Sequence, residues 1–227
     1  MNITYQQIAK MIDHSLLRPF LRQDELEDGI QLALTYDVAS VCILPYYLKR
    51  CAELLSGSGV KASTVIGFPH GAHTTKIKLL EAEQALDDGG EELDLVVNIS
   101  QVLSDNWAYV RSDIQAIIDA THSRNQKVKV IFENCYLNED QKIKLCEVCA
   151  EIGADWVKTS TGFGSGGATD EDLILMRKYS PPHVQVKAAG GVRTFDRLLE
   201  VRALGVSRVG ATATAAILDE CKRRLSG

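Results

Sequence analysis

The chain has 227 residues, 45% of them hydrophobic and 24% charged, with 17 glycines and 5 prolines. That composition supplies a large core and excludes collagenous and low-complexity chains. A net charge of −5 argues against a nucleic-acid binder, which would usually be basic, and against a polybasic membrane surface.

Residues 1–10 are polar and predict no secretory leader. No window approaches ~20 apolar residues, so no membrane span is expected. Six cysteines are too sparse for a disulfide scaffold, and reduced, cytoplasmic thiols are the expectation. Cys146 and Cys149 form a C-x-x-C, which raises redox or metal chemistry. They sit inside a strongly helical pattern over 139–152 with no second Cys/His pair nearby. Core packing is therefore the reading, and neither a metal nor a cofactor is expected.

Short apolar runs recur along the chain, bounded by Gly, Pro, Asn or Asp. They fall at 11–15, 39–44, 62–68, 93–98, 128–133, 156–160, 184–189 and 207–211. Each has the length and composition of a strand buried on both faces. Helical patterns alternate with them. The first spans 24–36, with Leu26, Ile30 and Leu34 on one face, and 46–55 follows with Leu48, Leu54 and Leu55. The stretch 74–88 places Ile77, Leu80 and Ala85 at helical spacing, with Thr74 or Thr75 as cap. Helices over 107–122, 139–152, 169–179, 194–204 and 212–224 complete the series. Asn138 with Gln141 and Thr169 with Asp172 resemble capping boxes. Gly89, Gly90, Gly153 and Gly205 read as helix stops.

Eight βα units without a composition break predict an α/β protein, a single (β/α)8 TIM barrel over 1–227. A short extra helix over 2–10 would cover the barrel bottom. A doubly wound open sheet is the rival, but no strand is followed by the glycine fingerprint that would support it. Eight units in 227 residues leave ~28 each, against roughly 31 in a 250-residue barrel, with no room for a second domain or long lid.

Charged residues inside buried strands need explanation. Asp94 falls in the fourth strand, Lys129 and Glu133 in the fifth, Lys158 in the sixth and Lys187 in the seventh. Period-two alternation places Lys129, Ile131 and Glu133 on one face. A buried ion-pair network is one reading. Two lysines on adjacent staves fit it poorly, because at ~4 Å and an effective dielectric near 20 they repel by about 4 kcal/mol. That equals about three pKa units, enough to leave a substantial fraction of one amine neutral. Only the neutral amine attacks a carbonyl, so the pair points to Schiff-base chemistry.

Gly162 follows Lys158, Gly190 and Gly191 follow Lys187, and Gly210 precedes Thr212 after the eighth strand. Such turns bring backbone N–H groups to an anion, and barrel phosphate sites favour the loops after strands seven and eight. The glycines could also merely cap loops. Beside two lysines they point to a phosphorylated substrate.

These residues carry a resemblance. Segments 13–17, 64–71, 92–96, 128–133, 157–163, 187–194 and 208–211 together resemble the deoxyribose-phosphate aldolases, in family order over nearly the whole chain. The K-T-S-T-G run beginning at Lys158 and the K-x-x-G-G-V-R-T run beginning at Lys187 are its most specific parts. The resemblance implies a class I aldolase that reversibly cleaves 2-deoxyribose 5-phosphate to glyceraldehyde 3-phosphate and acetaldehyde. It implies Lys158 as the Schiff-base lysine, Lys187 as its activating partner and Asp94 as the proton donor and acceptor. It further implies that Gly162, Gly190, Gly191 and Gly210, with Thr212 and Ser15, hold the substrate and its phosphate. The family often forms dimers or higher assemblies, and no exposed apolar stripe in the sequence decides the oligomeric state here.

Ser15 stands where that family often has threonine, Thr212 where serine is usual, and Asn134 where threonine is common. Lys129 and Glu133 are expected to support the trio. Cys42 reads as core, with the option of facing the pocket, where an unsaturated aldehyde would alkylate it. His14 and His70 are candidates to line the pocket, and Trp107 and Trp156 read as packing. Two alternatives stay open: another phosphate-binding barrel enzyme, such as a lysine aldolase or isomerase, and a non-catalytic phosphosugar sensor.

Overall fold

A computed structural model describes residues 3–225. All eight strands form: β1 (Ile12–Leu16), β2 (Ser40–Ile43), β3 (Lys61–Ile66), β4 (Glu92–Val96), β5 (Lys127–Ile131), β6 (Trp156–Lys158), β7 (Gln185–Ala189) and β8 (Arg208–Ala211). They pair in parallel in chain order, and β8 closes on β1. Most staves are almost wholly buried, as strands covered by the lumen on one side and helices on the other must be, and in β8 Arg208 and Gly210 are partly exposed.

Several strands end before their apolar runs do. β5 stops at Ile131 because Glu133 adopts a left-handed backbone with φ 57°. Glu133 therefore leaves the face that Lys129 and Ile131 share, which corrects the expected three-residue alignment. β6 likewise ends at Lys158, and Thr159 and Ser160 belong to the loop.

The helices are α1 (Tyr5–Ala9), α2 (Gln23–Tyr36), α3 (Leu48–Leu55), α4 (Thr75–Asp87), α5 (Ile99–Leu103), α6 (Trp107–Ser123), α7 (Glu139–Glu151), α8 (Asp170–Tyr179), α9 (Phe195–Ala203) and α10 (Thr214–Leu225). α1 is the expected extra helix, although Asn2 of the predicted span lies outside the described residues. It packs on α10 at the N-terminal end of the barrel, and Lys10 just after it ion-pairs with Asp37 at 2.6 Å. The short α5 has no counterpart in the sequence reading; Asn98 caps it by accepting from the Gln101 amide. Asn138 and Gln141 form the full capping box of α7, whereas at α8 Thr169 accepts from the Asp172 amide. Thr74 stands at the N-cap of α4 with no side-chain cap bond, while the Thr75 hydroxyl donates to Asp113 at 2.7 Å.

The face of α4 differs from expectation. Ile77 and Leu80 are exposed, and Lys78, Ala82 and Ala85 are buried. The cause is an ion pair between layers. Lys78 Nζ donates to Asp113 of α6 at 2.6 Å and to the Val96 carbonyl at 2.9 Å, with both side chains fully buried. Burying a charge is tolerable only when it is paired and hydrogen-bonded, and this pairing turns the helix. Cys146 and Cys149 are buried in α7, where burial pushes the Cys146 thiol up to about 12.

Candidate active site

The lumen is where the fold departs from an ordinary apolar barrel. Alternation along the staves sends Asp13 inward from β1, Glu92 and Asp94 from β4, Lys129 from β5, Lys158 from β6, Lys187 from β7 and Arg208 from β8. Cys42 and Val65 face inward from β2 and β3, with Leu17 and Phe68 packed beside them. One side of the lumen is thus ionic and the other small and apolar.

Asp94 holds the ionic side together. Its Oδ2 accepts from Lys158 Nζ at 2.6 Å and from Lys187 Nζ at 2.8 Å, and its Oδ1 accepts from Lys129 Nζ at 2.9 Å. Lys187 also pairs with Asp13 Oδ2 at 2.6 Å, and Lys129 with Glu92 at 2.6 Å. Arg208 closes the circuit, bonding Asp13 and gripping Glu92 with a two-pronged contact at 2.7 and 3.0 Å. Trp156 is more than packing. Its ring lies 5.1 Å from the Arg208 guanidinium and 5.7 Å from Lys129 Nζ.

The two lysines that share Asp94 differ in basicity. Burial pulls Lys158 below its ordinary value; Asp94 opposes this, and the Lys187 cation adds to the lowering. For Lys187 burial also pulls down, but Asp13 and then Asp94 outweigh it and hold it above its ordinary value. The expected repulsion between the lysines is therefore present but secondary. Desolvation dominates, and a carboxylate oxygen sits between the two amines. Asp94 feels burial first, yet Lys129, Lys158 and Lys187 keep it well below the usual carboxylate range.

Above this ionic floor opens a cavity of about 310 Å3. Its lining brings together Lys158, Lys187, Ser15, Cys42, Gly162, Gly190, Gly191, Gly210 and Thr212. Asp94 and Lys129 lie beneath the lining, fully buried. Glu133 lies to one side and accepts from both the Thr161 amide, at 3.2 Å, and the Thr161 hydroxyl. It thereby pins the loop that carries Gly162. His14 and His70 do not line the cavity. His14 points outward to Thr214 of α10, its Nδ1 2.8 Å from the hydroxyl, and burial lowers it to about 4. Burial also raises the Cys42 thiol, although it faces the cavity.

The turns at the mouth are backbone features. Gly190 and Gly191 have φ of 83° and 96°, a region that side-chain-bearing residues rarely occupy. A Cβ on Gly190 would also lie 2.8 Å from Gly167 Cα. The loops after β6 and β7 are tied there, the Ala168 amide donating to the Gly190 carbonyl at 3.0 Å. Two arginines stand at the rim, Arg18 after β1 and Arg193 after β7, exposed and without an ion-pair partner among the described residues. Arg18, with exposed Phe20 beside it, escaped the sequence reading because rim residues follow no periodicity, and Arg193 stood in the K-x-x-G-G-V-R-T run without an assigned role. Asp13, Glu92 and Arg208 also escaped it, Glu92 and Arg208 because each is the first residue of its strand and looks like a solvated end.

A closed (β/α)8 barrel with an amine of lowered basicity at the floor of a cavity lined by lysines, rim arginines and glycine turns is equipped for amine chemistry on an anionic carbonyl compound. Residues 8–219 match the family model of DeoC/LacD family aldolases. The chain belongs to that family. A deoxyribose-phosphate aldolase of Rhodopirellula baltica is 64% identical over 221 residues, covering 97% of this chain and 92% of that protein. One of Thermococcus gammatolerans is 45% identical over 214 residues, covering 93% and 95%. Among solved structures, the tetrameric deoxyribose phosphate aldolase of Aeropyrum pernix superposes with a TM-score of 0.89 at 28% identity, covering 96% and 92%.

Proposed function

We propose that the protein is a class I aldolase that reversibly cleaves 2-deoxy-D-ribose 5-phosphate to D-glyceraldehyde 3-phosphate and acetaldehyde, with Lys158 as the Schiff-base lysine. One observation carries the assignment of Lys158. Its amine faces the cavity with lowered basicity, while Lys187 and Lys129 are both raised and lie against carboxylates.

Lys158 Nζ attacks C1 of the open-chain sugar, and the carbonyl oxygen takes a proton. Loss of water leaves an iminium, which draws electrons from the C2–C3 bond. The C3 hydroxyl gives up its proton, C2–C3 breaks, and glyceraldehyde 3-phosphate leaves with a new carbonyl at C3. The remaining enamine takes a proton at C2 and is hydrolysed to acetaldehyde, freeing Lys158. Protonated Lys187 and Asp94, 2.8 Å apart, are placed to carry these protons. The turns at Gly162, Gly190, Gly191 and Gly210, with Thr212, Ser15 and the rim arginines, hold the phosphate.

Release of glyceraldehyde 3-phosphate from the phosphorylated sugar, followed by a coupled assay, tests the reaction. Unphosphorylated 2-deoxyribose should lose at least about 100-fold in kcat/KM, the worth of one or two charge-assisted hydrogen bonds. Equal rates would contradict the phosphate assignment.

We also place residues 1–227 in one catalytic domain and in the cytoplasm, a reading supported by six free cysteines. No helix among the described residues is long and apolar enough to cross a membrane. Self-association into dimers or larger assemblies is proposed as well, supported by exposed Ile77 and Leu80 on α4. Light scattering on the purified protein tests it, and a monomer mass at micromolar concentration would contradict it.

A further inference from the structure

The lumen holds an unequal set of charges. Four cationic side chains, Lys129, Lys158, Lys187 and Arg208, face three carboxylates, Asp13, Glu92 and Asp94. If Lys158 is a free amine, the set balances; if it is protonated, one positive charge is left over in a buried site. Removing a cation elsewhere in the set would leave room for that charge.

Arg208 and Glu92 are the members farthest from the chemistry. Neither lines the cavity. Each grips the other and one further carboxylate or lysine, so their charges reach the floor through Asp13 and Lys129. Strand register places Lys158, Lys187 and Arg208 side by side on β6, β7 and β8. Two strand spacings put Arg208 about 10 Å from Lys158. Trp156 lies against both Arg208 and Lys129, and its indole donates to Ser207 at 3.0 Å. The ring thus stacks on two members of the set.

We propose that Arg208 and Glu92 are positioning residues that set the charge balance of the lumen and so fix how much of Lys158 is free amine at a given pH. The inference rests on Lys158 as the Schiff-base lysine. Other groups facing Lys158 are accounted for. Asp94, Lys187 and Lys129 belong to the set, the Cys42 thiol is raised, and Glu133 turns to Thr161. Arg18 and Arg193 stand exposed at the rim. Burial lowers the basicity of Lys158 first, and Arg208 and Glu92 adjust it from there.

The directions are opposite for the two residues. Arg208→Gln removes a cation, so a proton on Lys158 becomes easier to hold and the amine is freed only at higher pH. Glu92→Gln removes an anion and shifts the limb to lower pH. A unit charge about 10 Å away at an effective dielectric near 20 moves a pKa by about one unit. The double variant restores the wild-type balance, and its limb should return. Arg208→Lys keeps the charge without the fork and should keep the limb.

Capture of Lys158 by acetaldehyde and cyanoborohydride, read by peptide mass spectrometry against pH, follows the free amine with an aldehyde that has no ionisable group. The expected result is an acid limb about one unit higher in Arg208→Gln, lower in Glu92→Gln, and near wild type in both Arg208→Lys and the double variant. Arg208→Gln leaves Asp13 and Glu92 less compensated; should it fail to fold, Glu92→Gln and the double variant carry the same comparison. Capture on Lys158 with limbs that coincide, or that move the same way in both single variants, overturns the inference and leaves the aldolase reading standing. No capture on wild-type Lys158 overturns both.

Discussion

Lys158 and Lys187 are equally buried and touch the same oxygen of Asp94, yet their basicity diverges because only Lys187 also meets Asp13. One amine is thereby suited to attack a carbonyl and the other to give a proton. Replacing Lys187 with alanine should cut kcat by about 100- to 10,000-fold, the range of a lost acid–base group, with far-ultraviolet circular dichroism unchanged. Retained turnover would show that Lys187 carries no proton. Asp94, Lys129, Lys158 and Lys187 were legible in the sequence because a charge in the middle of an apolar run is conspicuous. Asp13, Glu92 and Arg208 were not, since a charge at or near the start of a strand looks like an ordinary solvated end. Nothing in the sequence pairs Asp13 with Lys187, because that contact needs β1 and β8 to close the barrel.

The helices and loops around the lumen follow two different rules. α7 and α8 obey their sequence, with Asn138 and Thr169 capping as their spacing predicts. α4 does not, because a buried partner on α6 captures Lys78 and overrides apolar periodicity. Lys78→Met should therefore destabilise the protein by about 3 kcal/mol or more, since Asp113 would be left as a buried charge without its cation. Urea denaturation checks this, and an unchanged midpoint would mean the pair contributes nothing. The loops after β6 and β7 are fixed by Glu133 on Thr161 and by Gly190 against Gly167. Gly190→Ala should raise KM for the phosphorylated sugar much more than for the unphosphorylated one. A side chain there meets both a positive φ and a backbone contact, so the turn must shift. Equal effects on the two sugars would remove Gly190 from the phosphate turn. The glycines were legible as turns, whereas the grip of Glu133 was not, because its left-handed backbone takes it out of the strand pattern.

In the whole molecule, a closed barrel lets charges from six different staves meet in one desolvated place, and that gives folding its own pH dependence. Asp13 and Asp94 both lie below their ordinary value of 3.8 in the folded chain: burial works against this, but Arg208 and Lys187 outweigh it for Asp13, and Lys129 and Lys158 for Asp94. Their stabilisation is complete above that ordinary value and is lost progressively as pH falls toward the folded values. Lys129 and Lys187 lie above their ordinary value of 10.5, so their stabilisation is present below it and is lost as pH rises through the folded values. Buried His14, lowered from 6.5 to about 4, adds a loss that begins as pH falls below about 7. Stability measured by denaturant should therefore fall on acidification below about pH 7 and fall again as pH rises through the folded values of Lys129 and Lys187; a steady rise on acidification from neutral pH would contradict it. The eight-stave barrel was legible because strand and helix periods alternate without a break. The ionic lumen was only half legible, because its pairings depend on closure. The most direct measurement is borohydride reduction during turnover of 2-deoxyribose 5-phosphate, followed by peptide mass spectrometry. The account predicts one reduced adduct on Lys158, absent in Lys158→Ala; an adduct on Lys187 or Lys129, or none while product still forms, would contradict it.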